Sequence, residues 1–538
     1  MSETWDVALV GCGPVGAFAA NLLGACGLRT LVLEARTDPH GQPRAMHLDH
    51  EMLRLLDSAG LLESIQGVLR AGDGHVHIGA DGGVIRYLGS AGQPRPYSFA
   101  NDYFFFQPEL EHALRSGLGR FPNVQLQLGA QVTAAHQSDD EVTLTVVQGE
   151  RVSRVAARYV IGCDGASSVV RKSLGIELQD LRFDEPWLVV DAEVEGPIRF
   201  PHFNGLPESA DIQRLSVMLC DPNRPATLVP GRGVHRRWEF MLLPGESPEQ
   251  MNRTEVVAEL LKPWLQDVPY RIVRAATYRF HGLLARRWRI GRVFLAGDAA
   301  HQSPPFFGQG MCHGMRDAAN LAWKLELVCK GHAREELLNT YQVERAQQVR
   351  QVVDAAIDAG RYICELDSDR ARLRDEKMRA AQLPSSAATA ADLIPPLSRG
   401  VLAEVGSVDT GVGTRFIQPM VRSSNGSLQR LDQVTGRGWV MIGHSEFTEG
   451  CLSPAARAIW GHLGGKSFAI GTHLEEPEGC LGRWLETHRA KVVIVRPDFY
   501  TFGVHSTGDG ASALLHLLAR RLHLTSLPTW GAREVAQY

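Results

Sequence analysis

A glycine-rich turn near the start of the chain has the residue types and the spacing needed to bind phosphate groups. Gly11, Gly13 and Gly16 follow an apolar run and precede a stretch of small and apolar residues. Glycines at this spacing permit a tight turn, and the helix that follows presents free N–H groups to a pyrophosphate. Glu34 lies 18 residues beyond Gly16, where a carboxylate can accept hydrogen bonds from ribose hydroxyls. The pattern predicts a dinucleotide site, and a turn that serves only packing is the alternative.

Two further carboxylates follow short apolar runs. The stretch "YVIGCDG" contains Asp164-Gly165, and the stretch "RVFLAGD" contains Gly297-Asp298. A carboxylate at the carboxyl end of a strand lies at the edge where α/β sheets bind their ligands. Both sites are therefore candidates for ligand contact. For Asp164, an ordinary turn without a ligand is the alternative.

A rigid loop with two glycines comes shortly after Asp298. Two adjacent prolines fix an extended segment that lacks backbone donors, and the Gly308–Gly310 turn then leads into a helix from about Met311. The N–H groups at such a helix start can face an electron-rich ring. We therefore expect Asp298 to bind the hydroxyls of a polyol and the turn to hold a ring. One long cofactor would then connect the two ends of the sequence.

The segments around these motifs predict an α/β fold. Residues 5–10, 14–26 and 30–33 form a strand, helix and strand pattern that is typical of a βαβ unit. Residues 45–70 have the apolar spacing of a helical segment. From about 182 to 280, short apolar runs alternate with Pro, Gly and Asn clusters. This alternation predicts an antiparallel sheet, and hence a second domain inserted into the first.

The last part of the chain predicts a further domain. A stretch rich in Pro, Ser and Ala near 380–400 is typical of a linker. The residues that follow include the strand-like runs "GWVMIG" and "AKVVIVRPD" and the helical run "GASALLHLLARRL". We therefore expect a separate small α/β domain at the C-terminal end.

Size and composition are those of a soluble enzyme with two or three domains. The 538 residues include 56 Lys and Arg against 60 Asp and Glu, for a net charge of −4. This balance gives no reason to expect nucleic acid or an anionic membrane as a partner. The nine cysteines form no C-x-x-C pair, so we expect reduced thiols, no metal site and a cytoplasmic location. The uncharged stretch 7–28 contains five glycines and a proline, which argues against a membrane span.

The three motifs taken together resemble the class A flavoprotein aromatic hydroxylases. These are single-component FAD monooxygenases of the p-hydroxybenzoate hydroxylase fold, and the likeness is greatest to the 3-(3-hydroxyphenyl)propionate hydroxylases. The segments "GCDGASSVVR", "AGDAAHQSPPFFGQGMCHGMRDAANLAWKL", "RRWEFMLLPGE" and "LLNTYQVER" carry the resemblance. It covers residues 1–375 strongly and 410–538 more loosely.

The resemblance implies a Rossmann-like FAD domain, an inserted substrate domain and a thioredoxin-like C-terminal domain. The FAD domain would comprise residues 1–180 and 281–375, with strands near 73–105 contributing to the substrate side. Residues 181–280 would form the substrate domain, 376–405 the linker and 406–538 the thioredoxin-like domain. Because the last domain lacks a C-x-x-C pair, we expect no disulfide exchange from it.

The resemblance also implies a set of cofactor contacts. The turn at the N-terminus and Glu34 would bind the pyrophosphate and adenosine of FAD, and Asp298 the ribityl chain. NADH or NADPH would bind transiently as the reductant. The residues expected near FAD are Gly11, Gly13, Gly16, Glu34, Ala35, Arg36, Arg44, Gln107, Val132, Asp164, Gly165, Asp298, Pro305, Gly308, Gly310 and Met311.

In enzymes of this kind, NAD(P)H reduces FAD, and O2 then forms a flavin C4a-hydroperoxide that hydroxylates a phenolic ring. We expect a small aromatic substrate of that type, either similar to 3-(3-hydroxyphenyl)propionate or a bicyclic phenol, and a homodimer stays open as the oligomeric state. The loop around Gly308–Gly310, which is expected to hold the flavin ring, is called the flavin loop below. Candidate catalytic groups are His301, which adjoins this loop, and Arg44, and His47 and His313 are other candidates for the base. For each histidine, a structural role is the alternative.

The substrate pocket is expected to include Phe307, Tyr103 and His47. Phe307 stands where the family usually has glycine, and Cys312-His313 follow Met311 where the usual pattern has asparagine. The run "YFFFQ", which begins at Tyr103, could equally be a buried strand. Arg236 and Arg237 could bind a substrate carboxylate, or could be solvated arginines at a sheet edge.

Two other functions remain open from the sequence. The chain could be a flavin-dependent halogenase or epoxidase, or an FAD-binding relative without catalysis. A W-x-W-x-I-P signature, which halogenases carry, is missing from this sequence. A non-catalytic relative would retain the glycines but would not consume NAD(P)H in response to an aromatic compound.

Overall fold

A computed structural model describes residues 4–38, 43–381, 393–422 and 426–525. Residues 382–392 of the predicted linker near 380–400 lie outside these ranges. The strands of the described residues are, in chain order, β1 (Trp5–Val10), β2 (Thr30–Glu34), β3 (His47–Asp49), β4 (Leu69–Gly72), β5 (Gly74–Ile78), β6 (Val84–Gly89), β7 (Asp102–Phe105), β8 (Val124–Leu128), β9 (Gln131–Gln137), β10 (Val142–Gln148), β11 (Arg151–Gly162), β12 (Leu178–Val194), β13 (Ser216–Leu219), β14 (Ala226–Val229), β15 (His235–Met241), β16 (Tyr270–Ala285), β17 (Arg289–Ile290), β18 (Val293–Leu295), β19 (His301–Gln302), β20 (Met420–Arg422), β21 (Leu428–Arg430), β22 (Val440–Gly443), β23 (Lys466–Ala469), β24 (Val492–Val495) and β25 (Thr501–His505).

The helices connect these strands and cover their faces. They are α1 (Pro14–Ala25), α2 (His50–Ser58), α3 (Leu62–Ile65), α4 (Gln107–Ser116), α5 (Val169–Ser173), α6 (Pro248–Met251), α7 (Thr254–Leu265), α8 (Gly310–Cys329), α9 (Thr340–Ile363), α10 (Ser368–Ala381), α11 (Leu431–Thr435), α12 (Pro454–His462), α13 (Cys480–Thr487) and α14 (Ala511–Arg521).

The first sheet carries the nucleotide-binding motifs. Its strands run in the order β17-β18-β11-β1-β2-β8, and the hairpin β9-β10 pairs with β11. The five strands from β18 to β8 are parallel. Since β1 and β2 are completely buried or nearly so, their continuous apolar sequences fit a parallel sheet covered on both faces. The predicted βαβ unit is confirmed by β1, α1 and β2.

The second sheet is almost entirely antiparallel. Its order is β19-β16-β12-β15-β14-β13-β5-β6, and only the β13–β5 pair within it is parallel. Five of its strands come from the part of the chain where the sequence predicts an antiparallel sheet, and β5 and β6 come from before β8. A separate apolar core lies on this sheet and includes Trp238, Leu261 and Trp264. Residues of β6 belong to both large cores, Val84 to this one and Ile85 and Leu88 to the core of the first sheet.

A short three-stranded sheet lies next to the glycine loops. It has the order β3-β7-β4, and His47 of β3 pairs with Phe104 of β7. The prediction of a helical segment over residues 45–70 was therefore wrong at its beginning, where the chain forms β3. The helix α2 starts only at His50, where the side chain of Asp49 accepts hydrogen bonds from the N–H groups of Glu51 and Met52.

The C-terminal region contains a third large unit, a four-stranded sheet with the order β23-β22-β24-β25. The pair β22–β23 is parallel, and the other two pairs are antiparallel. Helices α12, α13 and α14 alternate with these strands. Apolar residues on one side of the sheet, among them Met441 and Phe502, belong to the same core as the first sheet. The C-terminal unit therefore packs directly against the nucleotide-binding part.

Candidate active site

The three glycines of the first turn have different environments. Gly11 has φ +95°, and a Cβ atom there would lie 2.5 Å from the carbonyl oxygen of Cys163. At Gly16, a Cβ atom would lie 2.1 Å from the carbonyl oxygen of Gly11. At Gly13, by contrast, no protein atom lies within 4 Å of such a Cβ. The outer glycines are therefore required by packing, and the middle glycine leaves open space that a ligand can enter.

Glu34 lies beside this turn at the end of β2. Its carboxylate accepts hydrogen bonds from the N–H of Cys12 at 2.7 Å and from the N–H of Arg36 at 2.9 Å. Arg115 of α4 reaches the same carboxylate at 3.8 Å and donates to the carbonyl of Cys12 at 3.0 Å. The sequence did not single out Arg115. Ala35 and Arg36 are exposed just beyond Glu34, and the structure thus places these three predicted residues at one edge of the glycine turn.

Asp164 caps the start of the helix α5. Its carboxylate accepts hydrogen bonds from the Ser168 hydroxyl at 2.5 Å and from the N–H of Val170 at 3.0 Å, at the start of α5. The adjacent Gly165 has φ +75°. Arg171 then donates to the carbonyl of Ala299 at 3.0 Å. This arginine connects the Asp164 turn to the loop that carries Asp298.

Asp298 follows β18 in the short 3-10 turn Gly297–Ala299. Its side chain is exposed, yet the protein atoms around it raise the pKa of its carboxyl group by desolvation, while His301 and Arg44 lower it. Asp298 is therefore accessible to a ligand, as a contact to a polyol chain requires.

If Asp298 binds ribityl hydroxyls, Asp298→Ala removes charge-assisted hydrogen bonds worth about 1.5–3 kcal/mol. The affinity for FAD is then expected to fall by about tenfold or more. Titration of the apoprotein with FAD, followed by flavin fluorescence, measures this change. Asp354→Ala, at an exposed position on α9, serves as the control. An unchanged affinity in a folded Asp298→Ala variant would remove Asp298 from the site.

The second glycine loop is open at one end and closed at the other. The 3-10 turn Pro305–Phe307 ends at Gly308, which has φ +63°. A Cβ atom at Gly308 would lie 2.9 Å from the side chain of His47. At Gly310, where α8 begins, no protein atom lies within 4 Å of such a Cβ. The start of α8 therefore faces open space, and His47 closes the loop from the other side.

Arg44 acts on the carboxyl group of Asp298 through its charge and is held through its backbone. The side-chain oxygen of Gln107 accepts hydrogen bonds from the N–H groups of Arg44 and Ala45 at 2.7 and 2.8 Å. Arg237 donates to the carbonyls of Pro43 and Arg44, both at 2.7 Å. Gln107 thus fixes the position of Arg44, whose own side chain is exposed.

The two arginines that were considered for a substrate carboxylate have other partners. Arg237 is buried and forms an ion pair with Asp191 at 2.7 Å, so it is neither solvated nor available to a substrate. Arg236 is half-buried and donates to the carbonyls of Gly233 and His235, both at 2.7 Å. Tyr103, from the predicted pocket, accepts a hydrogen bond from the N–H of Ala100 at 3.0 Å.

His301 belongs to a buried network behind the flavin loop. Its Nε2 atom lies 2.7 Å from the carboxylate of Asp317, which also accepts hydrogen bonds from the N–H of Gly297 and from Arg345. The ring of Trp288 lies 5.2 Å from that of His301. Only 1% of His301 is exposed. These contacts match the structural role that was the alternative for this histidine.

His47 has a different setting. Its Nε2 atom lies 2.8 Å from the carboxylate of Asp102, and its buried Nδ1 atom has no hydrogen-bond partner among the described residues. Burial alone would lower the pKa of His47, but the contacts with Asp102 and Cys312 raise it to about 10. Nδ1 is also one of the atoms that a Cβ at Gly308 would touch. The Nε2 atom of His313 also lacks a hydrogen-bond partner among the described residues, but the atoms nearest to a Cβ at Gly308 all belong to His47. His47 is therefore the candidate histidine with an uncommitted nitrogen beside Gly308.

Phe307 and Cys312, the two residues of the flavin loop that depart from the family pattern, both make contacts with neighbouring segments. The Phe307 ring is buried, and the guanidinium carbon of Arg86 lies 5.6 Å from its centroid. The Cys312 thiol lies 3.8 Å from the carbonyl oxygens of both His47 and Gly308. Cys312 therefore fills the space between the loop and β3. Val132, another predicted cofactor residue, is buried on β9.

Residues 4–356 match the model of a family described as the FAD binding domain, and residues 413–520 match the model of the HcaD C-terminal domain. The chain belongs to this FAD-binding family. It is 33% identical over 510 residues to a probable NADH-specific resorcinol 4-hydroxylase of Rhodococcus jostii (strain RHA1), covering 93% of this chain and 92% of that protein. It is also 33% identical over 521 residues to a 3-(3-hydroxy-phenyl)propionate/3-hydroxycinnamic acid hydroxylase of Burkholderia cenocepacia (strain HI2424). That match covers 92% of this chain and 93% of that protein.

Solved structures share the fold of this FAD-binding family member along most of its length. Aklavinone-11 hydroxylase, solved with FAD and aklavinone, has a TM-score of 0.77 at 24% identity and covers 97% of this chain and all (100%) of its own. The OxyS anhydrotetracycline hydroxylase from Streptomyces rimosus has a TM-score of 0.75 at 25% identity. The match covers 97% of this chain and 99% of that hydroxylase. The chain is therefore an FAD-dependent hydroxylase with a mixed α/β fold and a C-terminal HcaD domain. The predicted cofactor FAD and the nicotinamide co-substrate are confirmed, and the hydroxylase function is favoured over the halogenase, epoxidase and non-catalytic alternatives.

None of the helices in the described ranges has the length and apolar character that a bilayer crossing requires.

Proposed function

We propose that this hydroxylase uses NADH and O2 to add a hydroxyl group to a monocyclic phenol, with FAD as the cofactor. The observation that carries the proposal is the similarity, over more than nine-tenths of the chain, to hydroxylases named for resorcinol and for hydroxyphenylpropionate. The same resorcinol hydroxylase is named as NADH-specific, which favours NADH over NADPH as the reductant here.

The residues of the site fit FAD. The open space at Gly13 and the N-terminus of α1 suit a pyrophosphate, with Glu34 beside it for the adenosine ribose. The exposed carboxylate of Asp298 suits the ribityl hydroxyls, and the open start of α8 suits the ring. When bound, FAD supplies the acceptor for hydride from NADH and the means of activating O2. The protein supplies orientation, exclusion of water and proton transfer.

For proton transfer, we propose His47 rather than His301. The Nδ1 atom of His47 has no partner among the described residues and lies beside Gly308 of the flavin loop, whereas His301 is paired with Asp317. With its pKa raised to about 10 by Asp102 and Cys312 against the effect of burial, His47 is protonated at neutral pH. It can therefore donate a hydrogen bond to a phenolic oxygen and stabilise its ionised form.

The contact between His47 and Asp102 predicts that Asp102→Asn loses stability to an extent that depends on pH. A histidine whose pKa is higher in the folded state than in the unfolded state stabilises the fold fully at pH values below the unfolded pKa of about 6.5. That stabilisation is lost as the pH rises through about 10. The variant should therefore lose about 1.5–3 kcal/mol of unfolding free energy at pH 6 and much less at pH 10.

Urea unfolding of the wild type and of Asp102→Asn at the two pH values measures this difference. Asp354→Asn, which changes an exposed carboxylate on α9, is the matched control and should show no dependence of this kind. An equal loss of stability at pH 6 and pH 10 would show that His47 is not charged in the folded protein.

The proposed reaction is tested by the rate of NADH oxidation in the purified holoenzyme. Resorcinol and 3-(3-hydroxyphenyl)propionate are added separately, with NADPH as the comparison for NADH. We expect at least one of the two phenols to increase NADH consumption well above the rate without an aromatic compound. If no phenol increases this rate, the protein does not couple flavin reduction to phenol binding, and the proposal fails.

We further propose the domain roles that the resemblance implied. Residues 181–280 would form an inserted substrate domain, supported by the antiparallel sheet that strands β12 to β16 build. The C-terminal unit would be thioredoxin-like, supported by its element order β22-α12-β23-α13-β24-β25-α14 and its strand order. Its two cysteines, Cys451 and Cys480, are both free, so no disulfide exchange is expected. A homodimer and a cytoplasmic location stay predictions.

A further inference from the structure

Arg86 is a half-buried cation without an acidic partner. It lies on β6, the edge strand of the second sheet, directly opposite His77 of β5. The only hydrogen bond that its side chain forms among the described residues runs from Nη1 to the hydroxyl of Tyr362, at 3.4 Å. No carboxylate of the described ranges lies within 4.0 Å of it. Arginine is seldom buried without an anion beside it. Because Arg86 donates only one hydrogen bond to the described residues, its other N–H groups remain available to a ligand.

The groups around Arg86 do not neutralise its charge. Burial and then the charge of Arg86 lower the pKa of His77 well below its ordinary value. Burial, His47 and Arg86 together hold the pKa of His75 near 4, against the opposing effect of Asp102. Both histidines are therefore neutral at pH 7. The nearby carboxylate of Asp102 is hydrogen-bonded to His47, and Arg86 therefore gives this region an uncompensated positive charge.

Arg86 also lies next to the flavin loop. Its guanidinium carbon is 5.6 Å from the ring centroid of Phe307, the residue directly before Gly308. The hydroxyl of Tyr362 on α9 accepts the hydrogen bond from Arg86 and also lies 2.9 Å from the Nδ1 atom of His77. The guanidinium is thus held beside the loop by its contacts with Phe307 and Tyr362. Such a fixed fork matches the geometry of a carboxylate.

We propose that Arg86 binds the carboxylate of an acidic phenolic substrate and so selects aromatic acids over neutral phenols. The inference rests on the proposed function and makes its substrate class more specific. It also reassigns the role for which Arg236 and Arg237 were candidates, because both of those arginines have protein partners. Phe307 supports the guanidinium through a cation–π contact, which gives a role to the bulky residue in the loop.

The test compares two ligands of the same shape and different charge in the holoenzyme. The ligands are 3-(3-hydroxyphenyl)propionate and its neutral amide, and their Kd values are measured by the change in flavin absorbance on titration. The variants are Arg86→Met and Arg86→Lys. Arg350→Met, which removes an exposed arginine paired with Asp354 on α9, is the control for a general loss of positive charge.

In the wild type, the acid should bind more tightly than the amide. Arg86→Met should raise the Kd of the acid by about tenfold or more and change that of the amide by less than about twofold, and Arg86→Lys should restore part of the affinity for the acid. Equal weakening of both ligands, no weakening of the acid, or no binding of either ligand to the wild type would overturn the proposal. Failure of the proposed function would appear separately, as the absence of phenol-stimulated NADH oxidation in the wild type.

Discussion

Arg496→Met is expected to lower the free energy of unfolding by about 3–5 kcal/mol, because it removes the cation that two buried carboxylates share, and only one of them has a second cation beside it. Arg496 is completely buried and lies in the C-terminal unit just after β24. It donates to Glu344 of α9 at 2.8 Å and to Asp498 at 2.7 and 2.9 Å. The substituted side chain fills similar space, so the loss reflects charge rather than a cavity.

The same ion cluster connects the C-terminal unit to the flavin helix. Glu344 also accepts hydrogen bonds from Lys324 at 2.8 Å and from Asn320 at 2.6 Å, and both residues lie on α8, the helix that starts at the flavin loop. Loss of Arg496 should therefore weaken the hold on α8. We expect unfolding of the C-terminal unit and release of FAD to occur at the same urea concentration.

Urea titrations that follow tryptophan fluorescence and flavin fluorescence together test this prediction. The matched control is Arg350→Met, in which the lost pair with Asp354 is exposed on α9 and should cost no more than about 0.5 kcal/mol. A loss in Arg496→Met as small as that of the control would contradict a structural role for the buried cluster. Separate transitions for the two signals would contradict the connection to α8.

The paired variants Gly11→Ala and Gly13→Ala are expected to separate folding from cofactor binding. Gly11 has φ +95°, and its added Cβ would lie 2.5 Å from the Cys163 carbonyl oxygen. Gly11→Ala should therefore cost about 2–5 kcal/mol of stability. Gly13 has φ −69° and open space around its Cβ position, so Gly13→Ala should leave the stability of the apoprotein nearly unchanged.

Gly13→Ala should instead weaken FAD binding by about tenfold or more, because the added methyl group occupies the space into which a pyrophosphate would fit. Urea unfolding of the two apoproteins and titration of each with FAD give both quantities. The two alanine variants act as controls for each other, since they add the same group two residues apart. Full FAD affinity in Gly13→Ala would show that the pyrophosphate does not approach the turn there.

The first sheet could be predicted from the sequence because its signals are local. The glycine spacing, the apolar runs on either side and Glu34 lie within the first 34 residues, and they correspond to β1, α1 and β2. The glycine loop before α8 was predictable for the same reason, since two prolines and two glycines determine its backbone. In both cases, the conformational preferences of neighbouring residues agree with the final fold.

Contacts between distant segments could not be predicted in this way. His47 lies in a strand rather than a helix because β3 pairs with β7, which is more than fifty residues further along the chain. The carboxylate that pairs with His47, Asp102, comes from that partner strand. Arg86 likewise approaches Phe307 only because β6 is placed at the edge of the second sheet. The position of His301 next to the flavin loop made it the first candidate for the base, and only the hydrogen-bond partners in the folded protein favour His47.

The central claim is that this protein inserts one atom of O2 into a phenolic ring, and isotope labelling tests it most directly. The holoenzyme is supplied with NADH and either 3-(3-hydroxyphenyl)propionate or resorcinol under ¹⁸O2, and the product is analysed by mass spectrometry. The proposed function predicts a product that is heavier than the substrate by one oxygen atom, with that atom carrying the ¹⁸O label. A product whose added oxygen comes from water, or NADH oxidation that yields only hydrogen peroxide with every phenol, would contradict it.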